Sequence, residues 1–423
     1  MNKKLQKGRV TMKKMNKLIA ILLSISCLAA VSGCSGSNVE TEQTSNTTTQ
    51  ATLNENAQQT IDEIASSGET KELENKKVTW FCHWAMNPPE GDPARTSLEI
   101  FKSKYGGEVE DIICSYDERN TKLATLIAAD QSPDLISGTE YFPALIAKGM
   151  CMPVDDYVAF DNEIWSNIKA LNEKYQINGK TYWPIFTTGE AGYMMVYNKK
   201  TIEENELEDP AQLYADGNWN WDAFYEMGQK FLNNGEGRYV TTGWWFEEAL
   251  VTTTGTPALD FVNGKVVNNI NSSALQRVEE FLYECSKQSF AVAEDAPKGV
   301  RGGTTLFYPS GAKNPEGAGA FIECARMAVV DEDALSVRKE QILNDYKWTD
   351  EMYQMMLSMQ EIETANGVID LTRRMEQDIV DTILTAETNV YRNGDSWSQL
   401  RESIYGTVDS SVETVNKSLD DMQ

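Results

Sequence analysis

The sequence predicts an α/β body built on a mostly parallel sheet with helices on both faces, and three observations carry that reading. From Lys77 the chain alternates β-branched and aromatic runs with helically spaced apolar residues, in the order strand, helix, strand, helix, strand. That alternation favours parallel strands, with ligands at their carboxyl ends. Ser336 to Gln423 is nearly all helical in spacing, and the 423 residues leave, past a polar N-terminal stretch, enough chain for roughly two ordinary domains.

The elements begin with a leader. Lys3, Lys4, Lys7, Arg9, Lys13, Lys14 and Lys17 stand without any acid before an apolar run from Leu18 to Val31, a signal-peptide layout. That run has 14 residues, short of the roughly 20 that span a bilayer as a helix, so it is expected to be cleaved rather than retained. Val31-Ser32-Gly33-Cys34 resembles the bacterial lipobox, in which small residues fit the lipoprotein signal peptidase and the Cys thiol receives a diacylglyceryl group. Palmitate-type chains contribute roughly 0.8 kcal/mol per buried methylene, so two or three of them hold a domain at a surface. The expected location is the extracytoplasmic face of the cell membrane, anchored through Cys34. Ser35 to Lys77 is rich in Ser, Thr, Asn, Gln and Glu and has no aromatic residue, which reads as a flexible tether with a frayed helix around Asn54 to Ala65.

Beyond the tether, Lys77 to Phe81 reads as a strand, Ala94 to Tyr105 as a helix ended by Gly106-Gly107, Val109 to Cys114 as a strand, Asn120 to Ala129 as a helix and Asp134 to Ile136 as a short strand. Asn178-Gly179-Lys180 marks a turn before extended runs at Thr181 to Ile185 and Tyr193 to Tyr197. Helices follow at Asp222 to Phe231, Ser272 to Cys285 and Asn314 to Ala325. Met352, Met355, Met356 and Met359 share one helical face, a stripe expected to pack in the core.

Composition narrows the function. Removing the leader takes the net charge from −26 to −33, a surface that repels phosphate backbones and argues against nucleic-acid binding. Cys27 leaves with the leader and Cys34 is acylated; Cys82, Cys114, Cys151, Cys285 and Cys324 remain, an odd number at wide spacing for which no pairing follows. Cys82 beside His83 is the sharpest metal candidate, but there is no repeated CxxC and His83 is the only histidine, so no metal is expected. Neither a Gly-x-Gly-x-x-Gly nor a phosphate loop is present, and no cofactor is expected.

Four stretches then carry a resemblance. Ile127-Ala128-Ala129-Asp130-Gln131-Ser132-Pro133-Asp134-Leu135, Ala147-Lys148-Gly149 through Pro153-Val154-Asp155-Asp156-Tyr157, Gly179-Lys180-Thr181-Tyr182-Trp183-Pro184 with Tyr197-Asn198-Lys199, and Gly311 to Phe321 resemble, in order, segments of the family 1 extracellular solute-binding proteins, the group that includes the maltose-binding protein. The resemblance implies two α/β lobes joined by crossover strands, a sugar held between them, delivery to the permease subunits of an ABC transporter, and a monomer. It implies a division into leader 1–33, tether 34–76, first lobe 77–188, second lobe 189–295, a return to the first lobe over 296–335, and C-terminal helices over 336–423 spanning both. The residues it points to are Trp84 after the first strand; Thr139, Glu140 and Tyr141 in a loop of the first lobe; Glu190 near the hinge; Trp244, Trp245 and Glu247 in the second lobe; and Trp397 and Arg401 on a C-terminal helix.

Sugar rings present apolar C–H faces that stack on indole and hydroxyls that pair with carboxylates and guanidinium groups, and ten tryptophans make such platforms available. Trp80 and Trp165 are expected in the core; Trp219 and Trp221 belong to a capped helix start, Asn218-Trp219-Asn220-Trp221-Asp222. No enzyme is expected, since a Ser-His-Asp set can form only through His83 and a carboxylate pair chosen from 64 acids carries no information. The alternatives are a carbohydrate-active hydrolase and a solute sensor feeding a signalling receptor. One departure stands out: after Ser289-Phe290 the chain runs through Pro297-Lys298-Gly299 to Gly311 where the family has a longer segment, so one lobe is expected to be smaller.

Overall fold

The computed structural model describes residues 53–422 except 69, 90–91, 139–141, 188–196, 242–245, 289–305, 346 and 367–368. The expected leader and Cys34, the first part of the expected tether, the extended run expected before Tyr197 and residues 289–305 of the segment expected to be shortened therefore lie outside the described residues. The described residues belong to one compact unit, Thr49–Gln423, the body.

In chain order its first half runs α1 (Glu55–Ser66), β1 (Lys77–Cys82), α2 (Thr96–Tyr105), β2 (Glu108–Ile113), α3 (Arg119–Ala128), β3 (Leu135–Ser137), α4 (Ala144–Ala147), β4 (Cys151–Met152) and α5 (Lys169–Lys174). Then come α6 (Lys199–Glu204), α7 (Pro210–Ala215), α8 (Trp221–Asn233), α9 (Phe246–Thr253), a hairpin of β5 (Leu259–Val262) and β6 (Lys265–Asn268), and α10 (Ser273–Ser286). β7 (Leu306–Pro309) precedes, among the described residues, five α-helices: α11 (Pro315–Met327), α12 (Glu332–Asp345), α13 (Asp350–Asn366), α14 (Gln377–Asn393) and α15 (Trp397–Asp420).

One sheet has the order β2-β1-β3-β7-β4. β1 pairs in parallel with β2 and β3, while β7 runs antiparallel to both β3 and β4, so a single strand opposes the rest. Alternation along the strands divides the interior, because successive side chains point to opposite faces. Trp80, Leu135 and Tyr308 meet Leu98 and Phe101 of α2 and Phe321 of α11 on one side. Phe81, Ile136 and Phe307 meet Phe142 and Trp183 on the other, in a cluster that continues through Phe261, Leu282, Ile383 and Val408. Burial on both faces is why these strands read as continuous apolar runs rather than alternating ones.

The motifs are structural joints. Asp134 Oδ2 accepts from Thr79 N at 2.8 Å and Thr79 Oγ1 at 2.7 Å, and Oδ1 accepts from Asn314 N, so the Pro-Asp motif ties β1 to the start of α11. Asn314 in turn caps that helix, its Oδ1 accepting from Gly317 N at 3.0 Å. Asp155 Oδ2 accepts from Thr181 N at 2.9 Å. A Cβ on Gly319 would lie 2.3 Å from the Tyr157 carbonyl oxygen, so only glycine lets α11 cross that backbone.

Three expectations change. The stretch from Glu55 to Ser66 is docked rather than tether-like: Asn54 caps α1, and Ile61 and Ile64 are buried in the cluster that holds Leu98 and Phe101 of α2. Thr181 to Ile185 is not a strand, because side chains take its backbone groups: Ile185 N donates to Asn172 Oδ1 at 2.9 Å and Asn172 Nδ2 donates back to Ile185 O at 3.0 Å. The methionine stripe divides. Met356 is buried with Tyr353 and Ile342, but Met352 and Met355, outside that cluster, are 48% and 44% exposed.

Candidate functional site

Because β1, β2 and β3 run the same way, their carboxyl ends gather His83 and Trp84, Cys114 to Tyr116, and Gly138 along one rim of the sheet. Residues 139–141, with the expected contacts Glu140 and Tyr141, lie outside the described residues. The loop after β1 is pinned by Asp111 of β2, whose carboxylate accepts from Met86 N at 2.6 Å, Asn87 N at 3.1 Å and Asn87 Nδ2 at 2.8 Å.

That loop fixes Trp84. Its ring stands edge-on to Trp80 at 4.9 Å, its carbonyl accepts from Trp80 Nε1 at 3.2 Å, and the Arg95 guanidinium lies 5.0 Å from its centroid. Next to it His83 is exposed, with Nδ1 3.6 Å from the Cys82 sulfur, and its ring meets Tyr116 edge-on at 5.2 Å. Burial raises the Cys82 thiol. The Arg119 guanidinium, at the start of α3, lies 3.5 Å from the Tyr116 centroid and its Nη1 donates to the Tyr116 carbonyl. The sequence singles out His83 as a metal ligand or as the one histidine of a hydrolytic triad, and does not single out Tyr116 or Arg119; the available signal is an aromatic residue just past a strand end.

The remaining expected contacts are dispersed. Glu190, Trp244 and Trp245 lie outside the described residues. Glu247 stands on the first turn of α9, near Glu279 of α10 and Tyr391 of α14. Glu279 is wholly buried with neither carboxylate oxygen hydrogen-bonded; burial, then the charge of Glu247, pushes it well above the usual carboxylate range. Trp397 opens α15 and is 4% exposed, in one cluster with Ile383 and Val408, with its indole N–H unpaired. Arg401 is half-buried one turn later. Trp80 and Trp165 are buried, as expected of them, and Asn220 caps α8 by accepting from Ala223 N at 3.0 Å.

Two surface hollows, of about 500 Å³ between Asn178, Asn263 and Asp420 and about 520 Å³ between α14 and α15, contain none of these residues. All five described cysteines are free thiols. Among the described residues no group of three His, Cys, Asp or Glu side chains could hold a metal ion, and no helix is long and apolar enough to cross a membrane.

The sugar-binding protein MalE of Xanthomonas citri shares this fold at 13% identity, with 82% of this chain and 98% of that one covered and a TM-score of 0.53. An ABC substrate-binding protein of Listeria monocytogenes in complex with cycloalternan is similar at 14% identity, 82% and 100% coverage and a TM-score of 0.53. The GacH receptor of Streptomyces glaucescens, solved unliganded and with acarbose, gives 12%, 82% and 99%, and 0.51. These likenesses establish a two-lobed α/β fold. No curated protein matches the chain in sequence. The profile of one family does match, over residues 90–326, more than half the chain, and so the chain belongs to the bacterial extracellular solute-binding proteins.

Proposed function

We propose that the chain captures a sugar or oligosaccharide between its two lobes and hands it to the permease of an ABC transporter, as a monomer held at the extracytoplasmic face of the cell membrane by acyl chains on Cys34. The observation that carries the proposal is Trp84, an indole held by Trp80 and Arg95 at the carboxyl end of β1 in a chain of this family. An aromatic ring fixed in place loses little freedom when an apolar C–H face stacks on it. Glu140, Tyr141, Glu190, Trp244, Trp245, Glu247, Trp397 and Arg401 are the further proposed contacts, and residues 77–188, 189–295 and 296–335 the proposed lobe segments. The proposal assigns no catalytic step.

Thermal melts with maltotriose, acarbose and cycloalternan test it. A sugar at 100 times its dissociation constant adds roughly 2.7 kcal/mol of stability, a shift of a few degrees for a body of this size. Three flat titrations would overturn the sugar reading.

A further inference from the structure

We infer that Tyr116 is a specificity-determining contact, an aromatic platform braced by Arg119 and His83 on which one pyranose ring of the solute stacks. The inference rests on the sugar-binding reading and adds to it a residue at the end of β2 outside the family-derived set.

Tyr116 is 50% exposed and Ile113, at the end of the same strand, is 46% exposed, so an apolar surface lies at the carboxyl edge of the parallel strands. In open α/β sheets that edge is where ligands bind. An exposed tyrosine ordinarily keeps its rotamer freedom. Here the guanidinium of Arg119, itself buried, lies 3.5 Å from the ring centroid and is bonded to the Tyr116 carbonyl, so it is tied to the residue it braces. The His83 ring stands perpendicular to the tyrosine ring, at 5.2 Å and 87°, and restricts its rotation. Arg119 lies over one ring face, and half of the residue's surface remains open to solvent. A ring ordered before binding costs little entropy when a sugar covers it, and a pyranose presenting axial C–H groups matches its shape and polarity.

Calorimetric titration of maltotriose, acarbose and cycloalternan into the parent, Tyr116→Phe, Tyr116→Leu, Tyr116→Ala and, as a remote exposed control, Tyr214→Ala tests the inference. For a sugar that the parent binds, the Leu and Ala variants should bind about tenfold to thirtyfold more weakly, the Phe variant within about threefold of the parent, and Tyr214→Ala unchanged. Leucine keeps apolar bulk without a ring face, so its loss separates stacking from mere burial, and unliganded melts matching the parent exclude a folding defect. If the Leu and Ala variants titrate like the parent, the inference fails while the sugar reading stands. If the parent binds none of the three sugars, both fall.

Discussion

The rings of Phe142 and Phe261 meet edge-on with centroids 4.9 Å apart and planes at 70°, both wholly buried. Phe142 follows β3 of the five-stranded sheet, whereas Phe261 belongs to the β5–β6 hairpin outside it. Tyr175 stacks on Phe261 at 6.0 Å, and Asn178 Nδ2 donates to the Leu419 carbonyl at 3.0 Å in the same region. The interior beneath the sheet therefore continues into the hairpin and the C-terminal helices as one cluster. A seam with this much fully buried aromatic surface resembles a core more than a transient interdomain contact.

Phe261→Ala should therefore cost about 3 to 5 kcal/mol. Because the cluster is continuous, urea unfolding of the parent should be a single transition whose midpoint falls in the variant. Two well-separated transitions in the parent, or an unchanged midpoint in the variant, would show that the seam does not couple the two parts.

Asp134→Ala leaves Thr79 N, Thr79 Oγ1 and Asn314 N without their acceptor at a buried junction. A single hydrogen bond to a charged group is worth about 1.5 to 3 kcal/mol, so the loss should be at least about 3 kcal/mol. Thr79→Val, which removes only the hydroxyl, should cost clearly less in the same denaturation series. Equal costs would mean that Asp134 acts through something other than this junction.

That junction also shows what was legible in the sequence. Pro133-Asp134 and Asn314 could be matched to family segments, but that one carboxylate joins them is a fact of three-dimensional proximity across 180 residues. β1 is legible because β-branched and aromatic residues crowd it, whereas β7, buried throughout, is four residues long and does not stand out in the sequence. The β5–β6 hairpin was missed although Asn263-Gly264 carries the turn signal, with φ of 52° and 80°, because its strands are only four residues long. Trp397 shows the reverse difficulty. Residue type makes it equally suited to stacking on a sugar and to core packing, and only the neighbours Ile383 and Val408 reveal how deeply it is buried. Tyr116 was passed over because its significance lies in Arg119 and His83 around it, a pair that residue spacing alone does not bring together.

Cys34→Ala should release the protein from the membrane fraction of expressing cells, since the described body has no spanning helix and the leader is too short to serve as one. Detergent-free extraction of parent and variant compares them. Retention of the variant to the same degree as the parent would mean that another feature anchors the chain.

The last prediction concerns pH and Glu279. Burial and, after it, the charge of Glu247 hold the Glu279 carboxyl protonated well above the usual range, while an unfolded glutamate releases its proton near about pH 4.3. Below that value both states are protonated and the group adds no pH dependence. As pH rises above it, the unfolded chain sheds the proton first, so stability should fall by about 1.4 kcal/mol per pH unit until Glu279 ionises in the fold. Tyr391, held up by burial and by Glu247, and Cys285, pushed up to about 12 by burial, stay protonated throughout that window. Glu279→Gln keeps the shape and removes the proton. The variant should match the parent near pH 4 and exceed it increasingly toward pH 7, while the exposed neighbour Glu280→Gln shows no such divergence. Urea denaturation at pH 4, 5, 6 and 7 measures this, and a Glu279→Gln difference that stays constant with pH, or a parent more stable than the variant at pH 7, would show that Glu279 is ionised in the folded protein.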